Sequence, residues 1–579
     1  MVAGRDRAAA PSRRRSMNVN LAPRCDRLDM GGSSMARPRV LAIGLDGLEV
    51  TFAERLMAAG EMPALAELRQ RAARFRLDHG PAQRTGLAWE HVASGLSPEA
   101  GRRWAAVEFD PTTYVAWQEG ARFTPWWAGL DLRVVVFDTP YVDLRRARKT
   151  RGVVGWGAHD PGTITAGRPH GLLAEFERRF GRYPASLWTY GLPFPSPTRT
   201  QAMGEALSRA LDVRSRAGRW LATDRLPDWD LFIAVAGEAH GAVEGLWHGV
   251  DPSHPLHGHP SAAAAARAVV DVHRALDRML GQLMSAAGNA ALVAFNMGGM
   301  GPNHSDVPSM VLLPELLYRH AFGQPLLTVP SEWAAAPSSV PILDEGDSWS
   351  ASGEALVPTS AEEPDPPSSG ALLSLARRLP GPVKGVLKGV RAAVADWRSH
   401  VEPTARLDLD WQPALRYRHH WPRMPAFALP SFYDGRIRIN LQGRERHGMI
   451  EPSRYEETCR GLETILRECR NPRTGEPVVD SIERAWTRDP LALTGSEADL
   501  LVVWRGVVAA LEHSRLGLIG PVPLRRTGGH TGPYGMAYVV APGLEPGDRG
   551  VRSAFDVVPT IVRLLGDQPP AHISGKSLL

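Results

Sequence analysis

The chain carries several short, unbroken apolar runs of strand length, each handing over to a polar or glycine-rich turn. They lie at 40–45 (VLAIGL), 134–137 (VVVF), 231–236 (LFIAVA), 291–295 (ALVAF), 500–503 (LLVV) and 538–540 (YVV). A strand with one wet face alternates apolar and polar residues, whereas an unbroken run is covered on both faces. Helical patterns separate many of the runs; the one at 63–73 begins with Pro63, a residue suited to a first helical turn. The implied fold class is α/β, a three-layer arrangement in which helices cover both faces of one sheet. In such sheets reactive groups gather beyond the carboxyl ends of the strands. Asp46, His240 and Asn296 occupy those places.

Composition narrows the function classes. With 579 residues the chain is long enough for a large core, and 43% hydrophobic with 22% charged residues is ordinary for a globular protein. The net charge of +5 is mild and owes much to Arg5, Arg7, Arg13, Arg14 and Arg15, so no nucleic-acid partner is expected. Residues 1–36 lack apolar periodicity and read as a disordered Arg-rich tail. Arg13-Arg14-Arg15 is followed by polar residues rather than the apolar run an export signal needs. No stretch of about 18 apolar residues offers a membrane span. Three cysteines, Cys25, Cys459 and Cys469, are too few for a disulfide framework. The expected compartment is the cytoplasm.

Residues 338–370, dense in Ser, Pro, Glu and Asp, read as a linker, and a basic amphipathic pattern at 383–397 reads as a packed helix. The expected organisation is a core at 37–323, an insertion at 324–488 that caps the cleft, and a return to the core at 489–579. Within the core, His240 and Glu244 follow an apolar run and stand four residues apart, hence on one face of a helix. An imidazole and a carboxylate at that spacing can hold a transition metal, although a surface His–Glu pair is the commoner occupant of the pattern.

The order of several segments resembles the type I phosphodiesterase/nucleotide pyrophosphatase group of the alkaline phosphatase superfamily. Residues 40–47 (VLAIGLDG) are similar to its first strand, ending in a metal-binding aspartate. Residues 85–89 (TGLAW), continuing to 94–98 (SGLSP), are similar to its nucleophile segment. The block 230–248, the segment 528–535 with Gly528-Gly529-His530, and the closing 553–560 and 575–579 resemble its remaining motifs.

The resemblance implies a hydrolase of phosphate diesters, or of related phosphate or sulfate esters, working through a covalent threonine intermediate. It implies Thr85 as nucleophile, Asp46 as ligand of an ion beside it, and His240, Glu244 and His530 as ligands of another, with zinc the expected divalent metal. The family has Asp and His where this chain has His240 and Glu244, but the substituted set is still metal-competent. Where the family places Asp-His after the strand ending at 295, this chain has Met297 and Gly298, which leaves Asp46 and Thr85 holding the ion beside Thr85 nearly alone, with Asn303, His304 and Asp306 a few residues downstream as substitutes. Thr85 is also suited to capping a helix. His248, Asn303, His304 and Arg526 are candidate substrate-binding residues, with Arg436 and Arg444 as further candidates for an anion. His159 and Asp160 form a turn that could border the cleft. A group transferase on the same scaffold, or a binding protein whose site has decayed, are the alternatives.

Overall fold

Strand Val40–Leu45 lies near the middle of a nine-stranded mixed sheet and is buried along its whole length. The computed structural model describes residues 37–158, 164–189, 196–343, 349–357 and 406–579, and Pro38–Leu579 forms one compact unit. The tail at 1–36, the His159-Asp160 turn, the helix expected at 383–397 and much of the linker lie outside the described residues.

The unbroken apolar runs have the expected cause. Leu41, Ile43 and Leu45 point into one apolar cluster, shared with helices Pro197–Trp220 and Ala262–Ala287. Val40 and Ala42 point into another, shared with helices Ala88–Ser94 and Val557–Leu564. Alternate residues therefore feed opposite layers, and both must be apolar. Burying one such Leu or Ile contributes about 1.5–3 kcal/mol.

Val40–Leu45 pairs in parallel with Leu231–Ala236 on one side and Ala291–Asn296 on the other, with Leu45 opposite Ala236 and Gly44 opposite Phe295. The carboxyl ends of three central strands therefore stand side by side. Gly47 (φ 72°) makes the next step possible. A Cβ there would lie 2.2 Å from the Cα of His240, so only glycine lets the first strand's exit touch helix Glu238–Leu246.

A second, four-stranded antiparallel sheet orders Ala426–Leu429, Gly435–Ile439, Leu500–Trp504 and Val479–Arg484. Leu500–Trp504, read in the sequence with the main sheet, belongs here instead. Its apolar run reflects packing against helix Leu313–Phe322 and neighbours in a separate core. Within the expected linker, helix Trp349–Leu356 is present, and its Trp349 indole donates to the Pro523 carbonyl at 3.0 Å. No helix among the described residues is long and apolar enough to cross a membrane.

Candidate metal centre and its cavity

Two segments far apart in sequence bring three metal-competent side chains together beyond the strand ends. Helix Glu238–Leu246 carries His240 and Glu244 on one face, and strand Gly528–Gly532 carries His530. One ligand-competent atom from each of the three lies within 4.8 Å of the others. His240 Nε2 is 3.0 Å from Glu244 Oε1 and 3.0 Å from His530 Nε2, while His240 Nδ1 is 2.9 Å from Asp46 Oδ2. Asp46 is brought there by the sheet, since its own N–H donates to the Ala236 carbonyl at 2.9 Å.

The donor chemistry of this cluster calls for a cation. With Nδ1–H given to Asp46, Nε2 of His240 presents a lone pair toward a carboxylate oxygen and a second imidazole nitrogen. Lone pairs that close repel unless a proton or metal ion lies among them. Glu244 is fully buried, and its Oε2 has no hydrogen-bond partner among the described residues. Glu244 meets both His240 and Arg526 through Oε1, and the unused acceptor capacity of its carboxylate could be taken up by a cation. The residues present therefore fit a divalent metal.

The surrounding charge is consistent with that fit. Arg526 Nε and Nη2 grip Asp306 at 2.7 and 2.9 Å, and Arg525 Nη1 reaches the same carboxylate at 2.9 Å. Arg526 Nη1 also meets Glu244. Asp46, Glu244 and Asp306 stand with Arg525 and Arg526, three acidic side chains to two basic ones. Arg526 is thereby engaged behind the cluster rather than offered to a substrate.

A cavity of ≈ 40 Å³ opens onto Asp46, His240 and His530, walled by His79, Gln83, Trp89, Asn296 and Tyr433. Tyr433 comes from the turn of the second sheet. Its ring meets His530 edge-on, centroids 4.7 Å apart, and lies over Gly86, where a Cβ would sit 2.7 Å from the ring. Gln83 Nε2 donates to the carbonyls of His530 and Gly532, both at 3.2 Å, and so fixes the histidine strand.

Thr85 ends the short 3-10 turn Gly80–Thr85 and is 5% exposed. Its hydroxyl donates to the Ala82 carbonyl at 2.7 Å and accepts from Leu87 N–H at 3.2 Å; Thr85 itself does not line the cavity, whose wall here is Gln83 and Gly86. The other candidates are placed elsewhere. His248 turns to Ser261 Oγ at 3.0 Å because helix Glu238–Leu246 has ended and a 3-10 turn, Trp247–Gly249, follows, which breaks the one-face spacing. Asn303 ties strand Gly528–Gly532 through the Gly528 carbonyl at 3.1 Å and caps the turn at Ser305 and Asp306. His304 does not line the cavity. Arg436 is held by Asp434, and Arg444 by Glu445 and Asp499. The sequence reading overlooked His79, Gln83 and Tyr433.

Burial pushes His79, His254 and His273 down to about 4, and burial together with neighbouring imidazoles pushes His248 to about 3. An unfolded chain's imidazole takes up a proton near pH 6.5 that these folded ones refuse. Stability is therefore full above about pH 6.5 and declines as pH falls toward 4, by about 1.4 kcal/mol per unit of separation for each group. Thermal midpoints measured from pH 8 to 5 are expected to stay level above pH 7 and fall steadily below 6.5. A level profile down to pH 5 would contradict the buried, uncharged state of these histidines.

No family model matches the chain, and no curated protein matches it. Among solved structures it is similar to phosphonoacetate hydrolase from Sinorhizobium meliloti, at 16% identity over 91% of this chain and 96% of that one, TM-score 0.44. It is similar to the alkaline phosphatase PafA at 9% identity over 94% and 99%, TM-score 0.49. It is similar to murine ectonucleotide pyrophosphatase/phosphodiesterase 5 at 10% identity over 93% and 97%, TM-score 0.42.

Proposed function

We propose that the chain is a metal-dependent hydrolase of small phosphate esters, diesters among them, or of related sulfate esters. The observation that carries this reading is the meeting of His240, Glu244 and His530 around one point at a cavity beside the Thr85 turn. His240 Nε2, His530 Nε2 and the Glu244 carboxylate would hold the ion, and two imidazoles with one carboxylate suit zinc. Bound there, the ion would supply Lewis-acid stabilisation of charge on the ester's oxygens.

The protein's own groups do the rest. Thr85 Oγ1, released from the Ala82 carbonyl, attacks phosphorus; its proton passes to the departing alkoxide, which leaves as the alcohol, and water later attacks the phosphothreonine, returns a proton to Oγ1 and frees the phosphate product. Trp89 and Tyr433 are among the walls of the cavity at His240 and His530, where a phosphoryl group would be held with the remainder of the substrate outside.

Purified protein, dialysed without chelator, is expected to retain about one divalent ion per chain and to hydrolyse members of a panel of aryl phosphate monoesters, diesters and sulfates. Chelation should remove the activity and zinc restore it. Absence of any retained ion, or turnover indifferent to chelation, would contradict the proposal. Burial of Met297 among apolar side chains favours one second reading, a binding protein without turnover. Ion retention and ligand binding with no product from any ester would support it.

A further inference from the structure

The carboxylate of Asp46 touches the outer nitrogen of His240, on the far side of the ring from the three meeting donor atoms. A carboxylate accepting Nδ1–H from a histidine fixes the tautomer, aims the Nε2 lone pair and makes it a better donor. We propose that Asp46 is the positioning residue of a one-ion centre, orienting His240 rather than ligating a second ion. The assignment rests on the metal-dependent reading above and deepens it.

Independent features of the fold remove the ligands that a second ion next to Asp46 would draw from the end of strand Ala291–Asn296. Met297 is 4% exposed and packs in the apolar cluster that holds Trp89 and Phe295. Gly298 offers no donor, and the space a side chain would fill there is taken by Gln83, whose Cδ lies 3.2 Å from the ideal Cβ position. Asn296, the remaining polar residue at this strand end, has its amide occupied. It donates to the carbonyls of Leu48 at 2.6 Å and Gly298 at 3.1 Å and accepts from Met536 N–H at 2.7 Å. Thr85 has its hydroxyl bound within its own turn. Among the described residues, His240, Glu244 and His530 are the one group of three metal-competent side chains whose ligand atoms all lie within 4.8 Å of one another, and Asp46 is not part of it. Asp46 thus keeps its place at the strand end while its partner changes from an ion to an imidazole.

Asp46→Asn tests this, because the amide oxygen can still accept from Nδ1–H but carries no charge. Zinc stoichiometry and affinity, measured by chelator competition on the full chain, are the primary readouts. The wild type is expected to bind one ion. The variant should also bind one, about tenfold to a hundredfold more weakly. Cobalt(II)-loaded samples should show the same four-coordinate band intensity in both proteins, with shifted band positions in the variant. Two ions in the wild type with one lost in the variant would overturn the assignment while sparing the hydrolase reading. Equal affinities would overturn it as well. A wild type that binds no ion would bring down the reading on which the assignment rests, and the assignment with it.

Discussion

His240→Ala is expected to leave the protein without its ion and to lower kcat/KM for any ester substrate by about a thousandfold or more. His240 is the hub of the centre: one ring nitrogen meets Asp46, and the other meets both Glu244 and His530. Its removal leaves Glu244 opposite Arg526 alone and takes away one of two imidazole donors. A metal at such a centre supplies several kcal/mol of transition-state stabilisation, and each 1.36 kcal/mol is tenfold in rate. Elemental analysis after dialysis, paired with steady-state kinetics, reads both effects. Retention of a full equivalent of metal with less than a tenfold loss of rate would remove His240 from the centre.

Arg214→Met is expected to cost about 3–5 kcal/mol of folding stability. The guanidinium is buried where strands 134–137 and 231–236 end. It bonds Asp138 Oδ2 at 3.0 Å, the Val235 carbonyl at 2.9 Å and both oxygens of Glu238 at 2.9–3.1 Å. Both carboxylates are fully buried, so solvent does not screen these pairs. Methionine fills much of the volume but leaves Glu238 without a cation, at the first residue of the helix that bears His240 and Glu244. The same substitution should therefore loosen metal binding. Urea unfolding measures the stability term. A change under 1 kcal/mol would mean that the network contributes little. Arg214→Lys should recover only part of the loss, because an ammonium cannot bridge the two acids as a planar fork does.

The sheet was readable because burial on both faces leaves no polar alternation, and 40–45, 231–236 and 291–295 show that pattern without interruption. The same signal could not assign Leu500–Trp504, since an apolar strand carries no mark of which sheet receives it. His240 and Glu244 were visible from helical spacing, whereas His530 entered through the resemblance. Glycines at 47 and 86 were visible as residues but not as close approaches, which depend on what crosses them in space. Tyr433, Gln83 and His79 sit in turns and a 3-10 segment, where no periodicity points to a shared wall. The proposed anion binders are engaged by carboxylates of the chain itself for a physical reason. Arg526, Arg436 and Arg444 are buried, and a buried guanidinium is satisfied by a carboxylate of its own protein.

Anomalous diffraction at the zinc edge, from crystals grown with zinc, would place the ion directly. A single peak is expected about 2.0–2.2 Å from His240 Nε2, His530 Nε2 and a Glu244 carboxylate oxygen, with Asp46 on His240 Nδ1. A map with no peak among these three side chains, or one in which His530 stands apart from His240, would contradict the account.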